Sequence, residues 1–340
     1  MGVKRAVLDD LRMDPADKTV IYDPPRDALD SFITDNDEHY VLVGLGVAHQ
    51  DDHEWCIEII GDLDNPSVLD LATLMQMPQT TFCATLECAG DPLRPDLPVR
   101  RVSTARWTGV TIASVLELAG LRSTDGYLWM DGADHGVYRP GSAVAERVSY
   151  YRKDIPLERA VSGGALLATH MNGVPITPIH GAPVRALIPG YYGTNSVKWI
   201  RRLIVASGRP SGLFASVMYN DPVIVDGAIE RRQAGRVGVN SLVTSHDQGA
   251  RLAVGVHAIA GWAWGDLEVA NVVVQVDDGA TARADLGPRE DFAWQRFTAQ
   301  VTLDRPGTHS IAVRATDVAG DSQPDDVHIN QAFRLEVQVD

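Results

Sequence analysis

Cys88 is the first residue in this chain suited to chemistry. It closes a run rich in β-formers, Thr80–Glu87, and is followed by Ala89-Gly90. A turn of small residues at a strand end exposes a sulfur, and such ends are where mixed α/β proteins place reactive groups. A thiolate there serves as a nucleophile or a soft-metal ligand. The competing reading is an inert buried thiol, since free cysteine is among the most buried residue types. Cys56 and Cys83 lie inside strand-like runs and read as plain core. None of the three forms a C-x-x-C, so a structural zinc site has no support. The second cluster is His180-Gly181-Ala182-Pro183-Val184-Arg185, followed after Pro189-Gly190-Tyr191-Tyr192-Gly193 by Ser196-Val197-Lys198-Trp199. Arg presents a fork for phosphate, His a further donor, and a loop of this composition can aim backbone amides at an anion. The plain alternative is that Arg185 and Lys198 are surface cations of an ordinary loop. Asp134, in Trp129-Met130-Asp131-Gly132-Ala133-Asp134-His135, is either an acceptor for an amino-heterocycle or a turn residue.

These groups need elements to hold them. Residues 55–61 alternate and stop at Gly-Asp, which predicts a strand. Asn65-Pro66-Ser67 precedes a short helix through Leu69, Leu71, Leu74 and Met75, stopped by Pro78. Residues 111–121 predict a second helix closed at Gly120. Residues 142–155 predict a strand and a helix entry, 165–171 a compact apolar segment, and 173–193 mostly turns. Helix periodicity disappears after Leu213. Short β-rich runs follow at 251–260, 269–276, 292–303, 308–315 and 332–339, separated by turn signals such as Asp277-Asp278-Gly279. That pattern predicts an antiparallel β-sandwich. In it Val272, Val274 and Val276 share one face, which is expected to be buried. The fold class is therefore α+β. A polar arm at 1–35 leads into a mixed α/β domain at 36–215, and an all-β domain occupies 216–340.

Composition bounds the partners. The chain has 340 residues, of which 45% are hydrophobic and 22% charged, which excludes a disordered chain. Its net charge of −15 repels a phosphate backbone and argues against nucleic acid. No apolar run is long enough to span a membrane. The first residues lack the apolar core of a signal peptide, so the cytoplasm is the expected location, or the periplasm if a leader has been removed. Three cysteines are too few for a disulfide framework.

Several motifs occur together and in order: Thr85-Leu86-Glu87-Cys88-Ala89-Gly90, Ser103-Thr104-Ala105-Arg106-Trp107-Thr108-Gly109-Val110, Leu166-Leu167-Ala168-Thr169-His170-Met171-Asn172-Gly173, His180-Gly181-Ala182-Pro183-Val184-Arg185 and Val197-Lys198-Trp199. Together they resemble the molybdenum-cofactor domain of the sulfite oxidase family, which also includes assimilatory nitrate reductases. Gly261-Trp262-Ala263-Trp264-Gly265, Val274-Gln275-Val276-Asp277-Asp278-Gly279, Val313-Arg314-Ala315-Thr316-Asp317 and Gln323-Pro324 are similar to that family's immunoglobulin-like dimerisation domain. The resemblance covers roughly residues 40–340. It implies an oxidoreductase that carries molybdenum–molybdopterin and transfers an oxygen atom to or from a small substrate, an oxyanion or an S- or N-oxide. It implies Cys88 as the molybdenum ligand and Tyr151 as an active-site tyrosine. Asp134, His180, Arg185, Ser196, Val197 and Lys198 fall where the family holds the pterin and its phosphate. A homodimer and a separate electron donor or acceptor are also implied, and no C-x-x-C-H haem signal is present.

The departures narrow the substrate. Leu42 falls where the family's sulfite-oxidising members carry a substrate-binding arginine, and Gly44 where they carry a pterin-contacting histidine. Asp91 follows Cys-Ala-Gly in place of asparagine, and Pro92 interrupts the basic pair after it. A dianion in a partly dry site needs cations around it. Losing an arginine and adding a carboxylate therefore predicts poor sulfite oxidation, unless Arg94, Arg100, Arg101 or Arg152 compensates. Two other classes stay open: a degenerate family member acting as a binding protein, and a cofactor-free hydrolase using Cys88 with His170 or His180 as base.

Overall fold

The computed structural model describes residues 12–13, 19–90, 101–138, 146–148, 150–225, 228–279, 281–325 and 330–340. Asp91, Pro92, Arg94 and Arg100 lie outside them, as does most of the arm's first part. The chain divides into two units. The first comprises Met1–Tyr22, Tyr40–Phe82 and Arg106–Gly235; the second comprises Asp23–His39, Cys83–Ala105 and Arg236–Asp340.

The first unit is built on a mixed sheet with the strand order Arg152–Pro156, Tyr127–Gly132, Ile200–Ala206, Cys56–Gly61, Ser67–Asp70. Only Ile200–Ala206 and Cys56–Gly61 run parallel. The predicted strand at 55–61 is present, with Ile57 and Ile59 buried between less buried neighbours. The helix predicted from Leu69 begins later. Ser67–Asp70 is an edge strand, and Asp70 caps the helix Leu71–Gln76 by accepting from the Thr73 amide. Sheet pairing with Cys56–Ile59 claims Leu69 before the helix can. The second helix is Ile112–Leu118, capped by Thr111, with Gly120 at φ +74° beyond its end. Residues 165–171 form the strand Leu166–Met171, paired with Trp107–Thr111 on one side and with Arg185–Leu187 on the other. Residues 173–193 are mostly turns, as expected, with short pieces of strand and 3-10 helix. The hairpin of Asn220–Val225 with Ala228–Gln233 was not anticipated.

The second unit holds two sheets. One orders Asn240–Val243, Gly255–Trp264, Gln295–Leu303 and Asp285–Leu286. The other orders Ala250–Leu252, Phe333–Val339, Gly307–Asp317, Val269–Val276 and Thr281–Arg283. Strict alternation sets their inner faces: Phe333–Val339 buries every second residue, and Val272 and Val274 are fully buried. Residues 23–39 belong to this unit and are fastened by indole N–H groups. Trp262 donates to Leu29 O (2.6 Å) and Trp294 to Phe32 O (2.9 Å), with the two indoles stacked at 4.8 Å.

Candidate active site

In the first unit the turns around residues 132–134, 178–185 and 194–199 converge. Pairing with Leu166–Met171 places Arg185 at the start of its strand, and its side chain is 3% exposed. Nη1 donates to His180 O and Nη2 to Ser196 O, each at 3.0 Å, and the guanidinium lies 5.1 Å from the Trp107 ring centre. Among the described residues its Nε has no hydrogen-bond partner, and no carboxylate pairs with the group. Burial pulls its pKa down to about 10, which leaves it a cation at neutral pH. A cation buried against carbonyls and an indole is poorly compensated until an anion joins it.

Lys198 stands beside it. Its Nζ donates to Ile179 O (3.0 Å) and lies 3.5 Å from Leu42 O. Gly181 separates the two cations at φ +108°, and an added Cβ would lie 3.0 Å from Lys198 Cβ and 3.1 Å from Arg185 Cβ. Only glycine fits that backbone and that gap. The Ser196 hydroxyl accepts from the Ile188 amide at 3.0 Å, which fixes the 188–196 loop. The Val197 side chain is packed in the core, so only its backbone is available to a ligand. His180 is buried in the 3-10 turn Pro178–His180.

Asp134 completes this group. Gly132 lets the turn close, since an added Cβ would fall 2.5 Å from Asp134 Oδ1 and 2.9 Å from Lys198 O. The Ala133 amide donates to Trp199 O at 2.9 Å, which draws the turn against the 197–199 segment. Burial pushes the Asp134 carboxyl up to about 7, against the opposing pull of Lys198 and His135. Its two oxygens can accept from adjacent N–H groups on the edge of an amino-heterocycle. Tyr151 is tied to the same turn, its amide donating to Asp134 O at 3.0 Å. Its phenol lies 2.9 Å from Thr194 O and 2.7 Å from Thr194 Oγ1. Its ring packs on Phe214 at 4.5 Å.

Cys88 lies in the second unit. Its side chain is buried rather than exposed as the turn of small residues predicts, and its amide donates to Arg101 O at 2.9 Å, which holds the end of the Thr80–Glu87 strand. Cys83 is fully buried, as expected of core, whereas Cys56 is only half-buried. Of the arginines offered as compensation, the two that are described are engaged elsewhere, and Arg94 and Arg100 lie outside the described residues. Arg101 pairs with Asp23, and Arg152 forks onto buried Asp131 at 2.5 and 2.7 Å. Leu42 is a strand residue of Val41–Val43 whose carbonyl faces Lys198, and Gly44 lies against the Tyr138 ring. His170 Nδ1 is bonded to Thr169 Oγ1 at 2.9 Å. Sequence reasoning missed Gly132, Thr194, Trp107 and Phe214. Only Gly132, inside Asp-Gly-Ala-Asp, carried a turn signal.

The arrangement is a mixed α/β unit in which buried Arg185, His180 and Asp134 cluster with Lys198, and a β-rich unit with a strand-end thiol. Comparison gives that class a family. The oxidoreductase molybdopterin-binding domain matches residues 45–214, half of the chain. The chain belongs to this family, and the resemblance to its molybdenum-cofactor domain read from the motifs holds. Mitochondrial sulfite oxidase of Mus musculus is 31% identical over 338 residues, covering 89% of this chain and 59% of that protein. An NADH nitrate reductase of Brassica napus is 28% identical over 88% of this chain and 37% of its own length. The chain thus spans well under two thirds of these relatives. The sulfane dehydrogenase SoxCD of Paracoccus pantotrophus superposes with a TM-score of 0.82 over 99% of this chain and 90% of that one, at 21% identity, which shows a shared fold. Family membership implies molybdenum–molybdopterin as the cofactor. The residues fit it: the Arg185 cation, with no described carboxylate partner, suits a phosphate, and the buried Asp134 carboxyl suits the N–H edge of a pterin.

Proposed function

We propose that this protein is a molybdopterin-dependent oxidoreductase that transfers an oxygen atom to or from a small substrate less charged than sulfite. The buried guanidinium of Arg185, clasped by two backbone carbonyls and paired with no described carboxylate, is the observation that carries the reading. When bound, the cofactor supplies two-electron redox and oxygen-atom exchange at molybdenum. Cys88 would hold the metal as a thiolate, a soft ligand for it. Arg185 and Lys198 would bind the phosphate, with His180 and the Ser196–Lys198 backbone lining the turn and Asp134 hydrogen-bonded to the pterin edge. Tyr151 would orient substrate through its phenol, which Thr194 holds in one direction. Phe214 packs on that ring and helps exclude water.

The electrostatics support a weakly charged substrate. Leu42 stands where an arginine would meet sulfite, and Arg101 and Arg152 are committed to Asp23 and Asp131. An S- or N-oxide needs no such cations. Electrons would pass to or from a separate redox partner, and the second unit would serve as an immunoglobulin-like dimerisation domain. Elemental analysis of the purified protein, with steady-state assays over sulfite and neutral S- and N-oxides, tests the reading. About one molybdenum per chain and poor sulfite turnover are expected. A metal-free protein would overturn the redox reading and favour the Cys/His hydrolase or the binding protein. Efficient sulfite turnover would overturn the substrate argument.

A further inference from the structure

We propose that Glu87 is the positioning residue for Cys88, locking the strand end so that the sulfur is presented in one direction. The proposal rests on the reading above only in taking Cys88 as the functional thiol. It begins with strand geometry. Successive side chains point to opposite faces, so residues 83, 85 and 87 share one face and Cys88 belongs to the other. The odd-numbered face is bonded throughout within the second unit. Cys83 Sγ donates to Glu290 Oε1 at 3.2 Å. Thr85 Oγ1 accepts from the Trp294 amide at 2.8 Å. Glu87, 1% exposed, accepts at both oxygens: Oε1 from Asn240 Nδ2 (2.8 Å) and Oε2 from Trp264 Nε1 (2.9 Å).

The partners explain why a carboxylate stands here. Trp264 can only donate. Asn240 is turned so that it too must donate, because its amide oxygen is occupied by the Ser241 amide (2.9 Å) and Gln323 Nε2 (3.0 Å). Gln323 is fixed in turn, its oxygen accepting from Ser241 Oγ (2.7 Å) and the Ala315 amide (3.0 Å). Each amide in this buried chain therefore has one allowed orientation. It ends on two donors aimed at residue 87, and only a group with two acceptor atoms answers both. Glutamine would turn its NH2 against one of them. With the Cys88 amide bound to Arg101 O and Glu87 pinned one residue earlier, the thiol sits on a strand end held from both sides. Supporting bonds of this kind decide how well a ligand atom is placed.

Cys83, five residues earlier on the same strand, supplies an internal reference. The full chain is prepared from a host unable to make molybdopterin, and N-ethylmaleimide labelling of Cys88 and Cys83 is followed by peptide mass spectrometry. Glu87→Gln is expected to raise the Cys88:Cys83 labelling ratio about tenfold, the opening expected from one unmade buried hydrogen bond. Trp264→Phe, which keeps a ring and deletes one donor, is expected to raise it as well and serves where Glu87→Gln does not fold. The double variant is expected to be no worse than Glu87→Gln alone, since it removes the donor that the glutamine NH2 opposes. An unchanged ratio in a destabilised variant, or both thiols accelerating together, would show that Glu87 merely stabilises the unit and would overturn the proposal. Molybdenum retained by Cys88→Ser would sink the ligand assignment instead, and the labelling ratio would still decide the positioning question.

Discussion

Replacing Asp134 by Asn removes a carboxyl that burial holds far from its ordinary ionisation. Its folded pKa is raised from 3.8 to about 7, chiefly by desolvation, with Lys198 and His135 opposing. Between those values the native state binds more protons than the unfolded chain, so stability falls as pH rises through the window. The shift of about 3 units corresponds to an upper bound of ~4 kcal/mol, at roughly 1.36 kcal/mol per unit. About 2 units of it lie above pH 5, so the wild type is expected to lose ~2–3 kcal/mol relative to Asp134→Asn between pH 5 and 8. The assay is urea unfolding of the cofactor-free chain at pH 5, 6, 7 and 8 for both proteins. The variant is expected to be the more stable at pH 8, with its advantage shrinking toward pH 5 and vanishing only near the unfolded value of 3.8. It should also retain less molybdopterin, because Asn offers one acceptor oxygen where the carboxylate offers two. A gain in stability with a loss of cofactor is the mark of a residue kept for function. Parallel stability curves across that range would refute the reasoning, by showing that Asp134 ionises at an ordinary pKa and has no special environment.

Lys153 carries the opposite sign. It is fully buried, donates to Phe214 O at 3.0 Å, and burial pushes its pKa down to about 7, with Arg209 assisting and Asp154 opposing. The native state then binds fewer protons than the unfolded chain above that pH, so stability rises as pH climbs from about 7 toward 10.5, and Lys153→Met should flatten that rise in unfolding titrations. Arg185→Met removes a buried cation with no described carboxylate partner but takes its hydrogen bonds away from His180 O and Ser196 O; the molybdenum content of protein from a cofactor-producing host should drop at least tenfold, out of proportion to any loss in the melting temperature of the cofactor-free chain. On the proposed reading, Leu42→Arg, which adds a cation on the Val41–Val43 strand, should raise kcat/KM for sulfite more than for a neutral S-oxide; an equal effect on both would contradict the electrostatic account of substrate choice.

The sequence was informative where local chemistry decides the outcome and silent where long-range bonds do. Residues 55–61 and 269–276 could be read as strands from alternation, and 80–87 from its β-forming composition, because these signals are local. Asp134, His180, Arg185 and Lys198 could be singled out by residue type, but not their convergence, which depends on two glycines admitting close backbone approach at 132 and 181. Leu69 was misassigned because pairing with Ile57 outweighs helical spacing. Arg152 looked available near the site because nothing local reveals a carboxylate 21 residues away on a neighbouring strand. Glu87 shows the limit most clearly. Inside an apolar strand a lone carboxylate looks like a defect, and its meaning lies in donors 153 and 177 residues later. Those donors come from a β-rich segment whose own sequence signals only alternation and turns. A buried acid beside a candidate ligand is therefore evidence about the ligand. Burial without two aimed donors would have selected against it, so its presence marks a strand end that has to be held still.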